Sequence, residues 1–122
     1  MVSNYLYISS RDEFLRIEMS SIVYFESNAN YTDVVSANGI KAIIGMNLHQ
    51  VFNTVSATPK RDDLRFARIG KRYIINLNYI YRINTLTQEL VLSDQRDFTY
   101  TLKISKEALK NLKELMLNSI EQ

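Results

Sequence analysis

The dipeptide Asn38-Gly39 constrains this chain more than any other feature, because it sits between two β-prone runs, NYTDVVSA and IKAIIG. Asn-Gly in that setting is a strong short-range hairpin signal, and its glycine supplies the positive φ that a residue with a Cβ resists. The runs before it have the same character. In NYLYIS, Leu6 and Ile8 alternate with Tyr5 and Tyr7, and EFLRIE and SIVYFES are short, apolar and rich in β-branched or aromatic residues. Strands at such close spacing, joined by turns, pair antiparallel. The first half of the chain therefore reads as antiparallel β structure.

The period then changes. In MNLHQVFNTVSATP, Leu48, Val51, Phe52 and Val55 fall at i, i+3, i+4 and i+7, which predicts a short helix with Asn47 at its N-cap. SATPKRDDL is polar and holds the single proline, so it reads as a surface loop. Three strands are predicted beyond it: one within residues 73–83, then ELVLS and DFTYTLKI, with SDQRD as the turn between the last two. The chain closes on SKEALKNLKELMLNSI. Ser105 is a natural N-cap, and Ala108, Leu109, Leu112, Leu115 and Met116 form an apolar stripe, so this helix is expected to lid the β core.

At 122 residues the chain suits one domain, residues 1–122, and its hydrophobic and charged shares are those of an ordinary soluble globular protein. No cysteine is present, which excludes disulfides and thiolate metal sites. No apolar run approaches the roughly 18 residues of a membrane-spanning helix, and the N-terminal stretch lacks the apolar core of a signal peptide. A cytoplasmic protein is expected, or a domain of a longer one. His49 is the only histidine, and no metal-ligand spacing surrounds it. The three glycines are too scattered for a phosphate loop, and no spacing supports a catalytic triad. The expectation is a protein without catalytic residues, cofactor or metal, with His49 a surface or half-buried helical residue.

Charge gives the better lead. Residues 60–82 carry seven basic groups, Lys60, Arg61, Arg65, Arg68, Lys71, Arg72 and Arg82, against Asp62 and Asp63, on a chain of net charge only +2. A local positive block on a near-neutral chain points to an anionic partner, although a solvated basic turn accounts equally for the block alone. Within RFARIGKRYIINLNYIYRI, residues 65–83, Phe66, Ile69, Tyr73, Ile74 and Ile75 can root the segment in a core while Arg68, Lys71 and Arg72 project from a bend around Gly70. Arginine is the commonest reader of guanine, and lysine contacts phosphate. SNANYTD is a second polar loop, whose asparagines suit adenine edges or an ordinary turn.

Three blocks together resemble the LytTR-type DNA-binding domain of bacterial response regulators, the LytR/AlgR-like family. They are SSIVYFESNANYTDVVSANG, RFARIGKRYIINLNYIYRI and DFTYTLKISKEALKNLKELM, in that order, with MNLHQVFNTV in the place of the family's short helix. The resemblance runs from about residue 17 to about residue 117 and implies a mainly β, elongated antiparallel multi-sheet domain with a short central helix and a C-terminal helix. It implies that loops enter successive major grooves of double-stranded DNA, facing it on one surface. The matching positions are Asn30, Tyr31 and Thr32 in the first loop, Gly70, Lys71 and Arg72 at the bend, and Ser105 and Lys106 at the start of the last helix. Arg68 and Lys103 are candidate phosphate clamps, and Asn76 matches an asparagine expected to be structural, at a strand-end turn. The family commonly has His at Gly70 and Ser at Arg72, so the sequence read at this bend is expected to differ. The resemblance also implies a two-component setting: transcription regulation, tandem repeats bound by a homodimer, and a receiver domain in the full-length protein.

Two other readings stand beside it. A strand-rich chain with eight tyrosines also suits a β-rich protein-interaction or dimerisation module without DNA binding. Single-stranded nucleic acid would use Tyr5, Tyr7, Tyr31 and Tyr73 as stacking platforms.

Overall fold

The computed structural model describes residues 4–120. The chain divides into two compact units, one ending at Asn78 and the other starting at Tyr79. All strand pairs in both are antiparallel.

The first unit opens with β1 (Tyr5–Ser9) and β2 (Phe14–Glu18), a two-stranded sheet. β3 (Ile22–Asn28), β4 (Tyr31–Ser36) and β5 (Lys41–Ile44) follow, and then helix α1 (Leu48–Ala57). β6 (Phe66–Ile69) and β7 (Tyr73–Asn76) complete a five-stranded sheet in the order β5-β4-β3-β7-β6. The β4–β5 turn uses Gly39 at φ 86°, as the Asn-Gly signal predicts. Asn47 caps α1 as predicted: its side chain accepts from Gln50 N–H at 2.9 Å, while the Gln50 side chain accepts from Asn47 N–H at 3.0 Å. This reciprocal pair satisfies two donors that a helix start otherwise leaves open. At the other end the Lys60 ammonium donates to the carbonyls of Val55 (2.6 Å) and Thr58 (2.7 Å), and burial lowers its pKa.

The core of this unit lies between one sheet face and α1. Phe25, Val34, Ile44 and Ile74 from the sheet meet Leu48, Val51 and Val55 from the helix, with Leu6, Ile8, Met19 and Leu64 closing the cluster and Phe52 packed against it. The helical spacing read from the sequence is thus the face that α1 buries. On the opposite sheet face Tyr24, Ile69, Tyr73 and Ile75 are also buried. Asn76 is structural, as expected: fully buried, it donates from Nδ2 to Ile22 C=O at 2.8 Å and accepts from Asn78 N–H at 3.0 Å.

One expectation fails here. Residues 73–83 form not one strand but two, β7 and β8 (Ile80–Asn84), which belong to different sheets and are separated by a 3-10 turn, Leu77–Tyr79. The Asn76 carboxamide bends the chain at that point by accepting from the backbone two residues on, the usual way an asparagine makes a turn.

The second unit pairs β8, β9 (Glu89–Ser93) and β10 (Thr99–Lys103) in the order β10-β9-β8 and ends in helix α2 (Lys106–Ile120), which lies against β8. The β9–β10 turn is built on Asp94. Burial pushes its carboxyl up, but N–H donors including those of Arg96 (2.9 Å) and Asp97 (2.8 Å) outweigh this and hold it below its ordinary value. Ser105 caps α2, its hydroxyl oxygen accepting from Ala108 N–H at 3.3 Å. Leu109 and Leu112 are buried, but Leu115 is exposed, as are Leu117 and Ile120, so the lid reading holds for the first half of α2 only.

Candidate nucleic-acid interface

β3 is the central strand of the five-stranded sheet, and its C-terminal end organises the site. Asn28 pairs with Tyr31 across the turn at residues 29–30, and Glu26 pairs with Tyr73 just after the turn at residues 70–72. The strand pairing continues past the strand itself, because Ser27 N–H donates to Arg72 C=O at 2.8 Å. Both turns therefore lie at the same end of the sheet. The chain between β5 and α1 reaches that end too, since Ile44 pairs with Thr32 and the Thr32 hydroxyl donates to Met46 C=O at 2.8 Å.

SNANYTD, read as a polar loop, is a tight hairpin: Ser27 and Asn28 belong to β3, and Tyr31, Thr32 and Asp33 to β4. Only Ala29 and Asn30 turn, with Ala29 at φ 54°, a conformation that strains a residue carrying a Cβ. Asn30 is exposed, and Tyr31 is 54% exposed. Thr32 departs from its expected contact role. Its phase in β4 points it to the core face, where it is 0% exposed with its hydroxyl committed to Met46. It braces the turn and is unavailable to a ligand.

The turn at residues 70–72 keeps the expected bend. Gly70 has φ 61°, with no atom within 4 Å of where a Cβ would stand. Lys71 and Arg68 are exposed and make no ion pair among the described residues. Arg72 differs: its Nη2 donates to Glu26 Oε2 at 2.7 Å, and its guanidinium lies 5.5 Å from the centre of the Tyr73 ring. Burial first, and then the charge of the nearby Glu26 carboxylate, raise the Tyr73 hydroxyl above its ordinary value, with Arg72 pulling the other way. Glu26, Tyr73 and Arg72 thus form one group. Sequence reasoning did not place Glu26 in the site, and no local signal could, since it stands 46 positions from its partner.

The basic block is therefore not a uniform patch. Lys60 turns inward to cap α1, Arg61 pairs with Asp63 at 3.3 Å, Arg65 is also engaged, Arg72 is held by Glu26 and Arg82 lies on β8 in the second unit, so among the described residues Arg68 and Lys71 are the exposed, unpaired cations around the bend.

The second unit carries its own candidates. Lys106 begins α2, exposed and without an ion pair, beside the Ser105 cap. Lys103, expected to be a phosphate clamp, is engaged at both Glu89 (3.4 Å) and Thr87 C=O (3.3 Å), although its side chain remains 74% exposed. Tyr73, named as a stacking platform, is only 7% exposed, so the single-strand reading loses that member.

Antiparallel sheets whose polar and basic groups are displayed on turns define a class of β-rich domain. The profile of the LytTr DNA-binding domain matches residues 12–117, and the chain belongs to that family. Among solved structures the chain is similar to a LytTr DNA-binding domain from Bacillus cereus, part of a protein described as a methyl-accepting/DNA response regulator. The two share 18% identity and a TM-score of 0.62, over 93% of this chain and 97% of that one. No curated protein matches significantly. Among the described residues no helix is long and apolar enough to cross a membrane.

Proposed function

We propose that this chain binds double-stranded DNA sequence-specifically, as the output domain of a cytoplasmic two-component response regulator in transcription control. It acts without catalysis, cofactor or metal, as one DNA-binding domain of residues 1–122. The observation that carries the reading is the pair of turns at one end of the five-stranded sheet, which offers Asn30 and Tyr31 beside Lys71 and Arg72. Lysines such as Lys71, together with Arg68, supply sequence-independent attraction to phosphates. Asn30 and Arg72 have the donors and acceptors that distinguish bases in a major groove. In the second unit Lys106 and the capped start of α2 suit a phosphate, with Lys103 as a secondary contact. Membership of the LytTr DNA-binding family supports duplex DNA as the ligand. Tandem repeats bound by a homodimer, and a receiver domain elsewhere in the full-length protein, belong to the same proposal.

The test is selection of bound sequences from a random duplex pool, followed by titration of the selected site in rising salt. Enrichment of one motif, with affinity falling steeply as salt increases, is expected. Equal recovery of all sequences would sink the specific reading. One observation favours a protein-interaction role: Tyr7 and Phe14, 51% and 65% exposed, stack with ring centres 5.9 Å apart on the β1–β2 sheet. A domain that shifts no duplex in low salt would turn the reading towards that surface.

A further inference from the structure

We propose that Glu26 is a positioning residue that fixes the Arg72 guanidinium as the reader of a guanine edge in the duplex. The inference rests on the duplex binding proposed above and deepens it. An arginine on a surface turn ordinarily samples many rotamers, and ordering it on binding costs affinity. Arg72 is held at both ends. Its carbonyl accepts from Ser27 N–H at 2.8 Å, and its Nη2 donates to Glu26 Oε2 at 2.7 Å. Glu26 is itself fixed, because it lies within β3 opposite Tyr73 in the ladder, with its side chain only 24% exposed. The Tyr73 ring, 5.5 Å from the guanidinium carbon, limits the remaining freedom. The grip therefore comes from a central strand and not from a second loop.

The bond to Glu26 engages one N–H, and the other guanidinium N–H groups make no hydrogen bond among the described residues. They suffice for the two-point contact with guanine O6 and N7. Lys71, next in the chain, is the opposite kind of group: a compact charge on a flexible stem, suited to phosphate at any sequence. The Glu26 carboxylate has a second effect. It repels every phosphate backbone equally, so it weakens binding to non-cognate duplex, where no base contact compensates. Charge and acceptor oxygen therefore act differently and are separable by substitution.

The experiment compares affinity for the selected site with affinity for a scrambled duplex, using wild type, E26Q, E26A, R72K and the double variant E26A/R72K, with folding checked by circular dichroism. Both Glu26 variants lose the charge, and both are expected to bind scrambled duplex about threefold tighter. E26A also loses the acceptor, and its preference for the selected site falls about tenfold. E26Q keeps an oxygen facing Arg72 and retains most of the preference. R72K keeps the charge without the planar fork and loses preference to a similar extent, and E26A adds nothing on top of R72K. Wild-type preference in E26A, or additive losses in the double variant, would overturn the role assigned to Glu26 while leaving duplex binding standing. Should E26A fail to fold, R72K decides: its exposed side chain makes unfolding no excuse, and an undiminished preference overturns the proposal. A wild-type domain that binds both duplexes equally fails at the earlier step, and this inference fails with it.

Discussion

The two turns at the end of β3 solve the same geometric problem with opposite materials. At residues 70–72 the left-handed position belongs to glycine, the side chains beside it are basic, and a carboxylate from the central strand holds one of them. At residues 29–30 the left-handed position belongs to alanine, the tip is uncharged, and its bracing comes from the buried Thr32 hydroxyl beneath it. Backbone strain is thus tolerated where no charge needs orienting, and the charged turn is relaxed and held through its side chain. In the proposed reading the charged turn would supply affinity and one directed contact, and the neutral turn would read bases through Asn30.

The sharpest way to break this contrast is to disarm each turn in turn. Lys71→Ala with Arg72→Ala should lower affinity for the selected site by more than about tenfold and flatten its salt dependence by about one to two phosphate equivalents. Asn30→Ala should cost about threefold with the salt slope unchanged, because an amide releases no counterion. Equal slopes for both variants would erase the distinction. Thr32→Val should destabilise the fold by about 1–2 kcal/mol in denaturant unfolding, since it strands the Met46 carbonyl without its donor. A neutral result would mean that the hydroxyl does not brace the turn. The backbone prediction has two signs. Gly70→Ala should cost about 1 kcal/mol from φ alone, the space around it being open, whereas Ala29→Gly should leave stability level or raise it by up to about 0.5 kcal/mol. The smallest effect is in alkali. The folded protein holds the Tyr73 proton above its ordinary value of 10.0, so the associated stability is intact below pH 10 and is lost as pH rises through the folded pKa. Tyr73→Phe should flatten that decline above pH 10, and an unaltered slope would remove Tyr73 from the account.

Much of this molecule was legible where the controlling interaction is local. The Asn38-Gly39 hairpin, the Asn47 and Ser105 caps and the buried face of α1 all depend on residues within a turn or two of each other. The three ordered blocks carried the family resemblance, with boundaries inside the matched residues 12–117. The misses come from long-range partners. YIINLNYIYRI is strand-like on both sides of Asn76 and Asn78, so its period does not reveal the 3-10 turn that sends β7 and β8 to different sheets. Thr32 looks like any polar loop residue until its register with Ile44 turns it to the core. Arg72 is visible as a charge, but the carboxylate that orients it comes from a distant strand. The apolar stripe of α2 was correctly read as helical, yet nothing in its spacing tells where burial stops.

The backbone bond from Ser27 to Arg72 has one further consequence. It extends the β3–β7 ladder into the turn, where an exposed amide would otherwise trade its proton with solvent within moments. In deuterated water the Ser27 amide should remain among the slowly exchanging set, and its protection should track the sheet and not the surface. A turn that carries its charges outward is then, on the timescale of exchange, part of the least restless portion of the molecule.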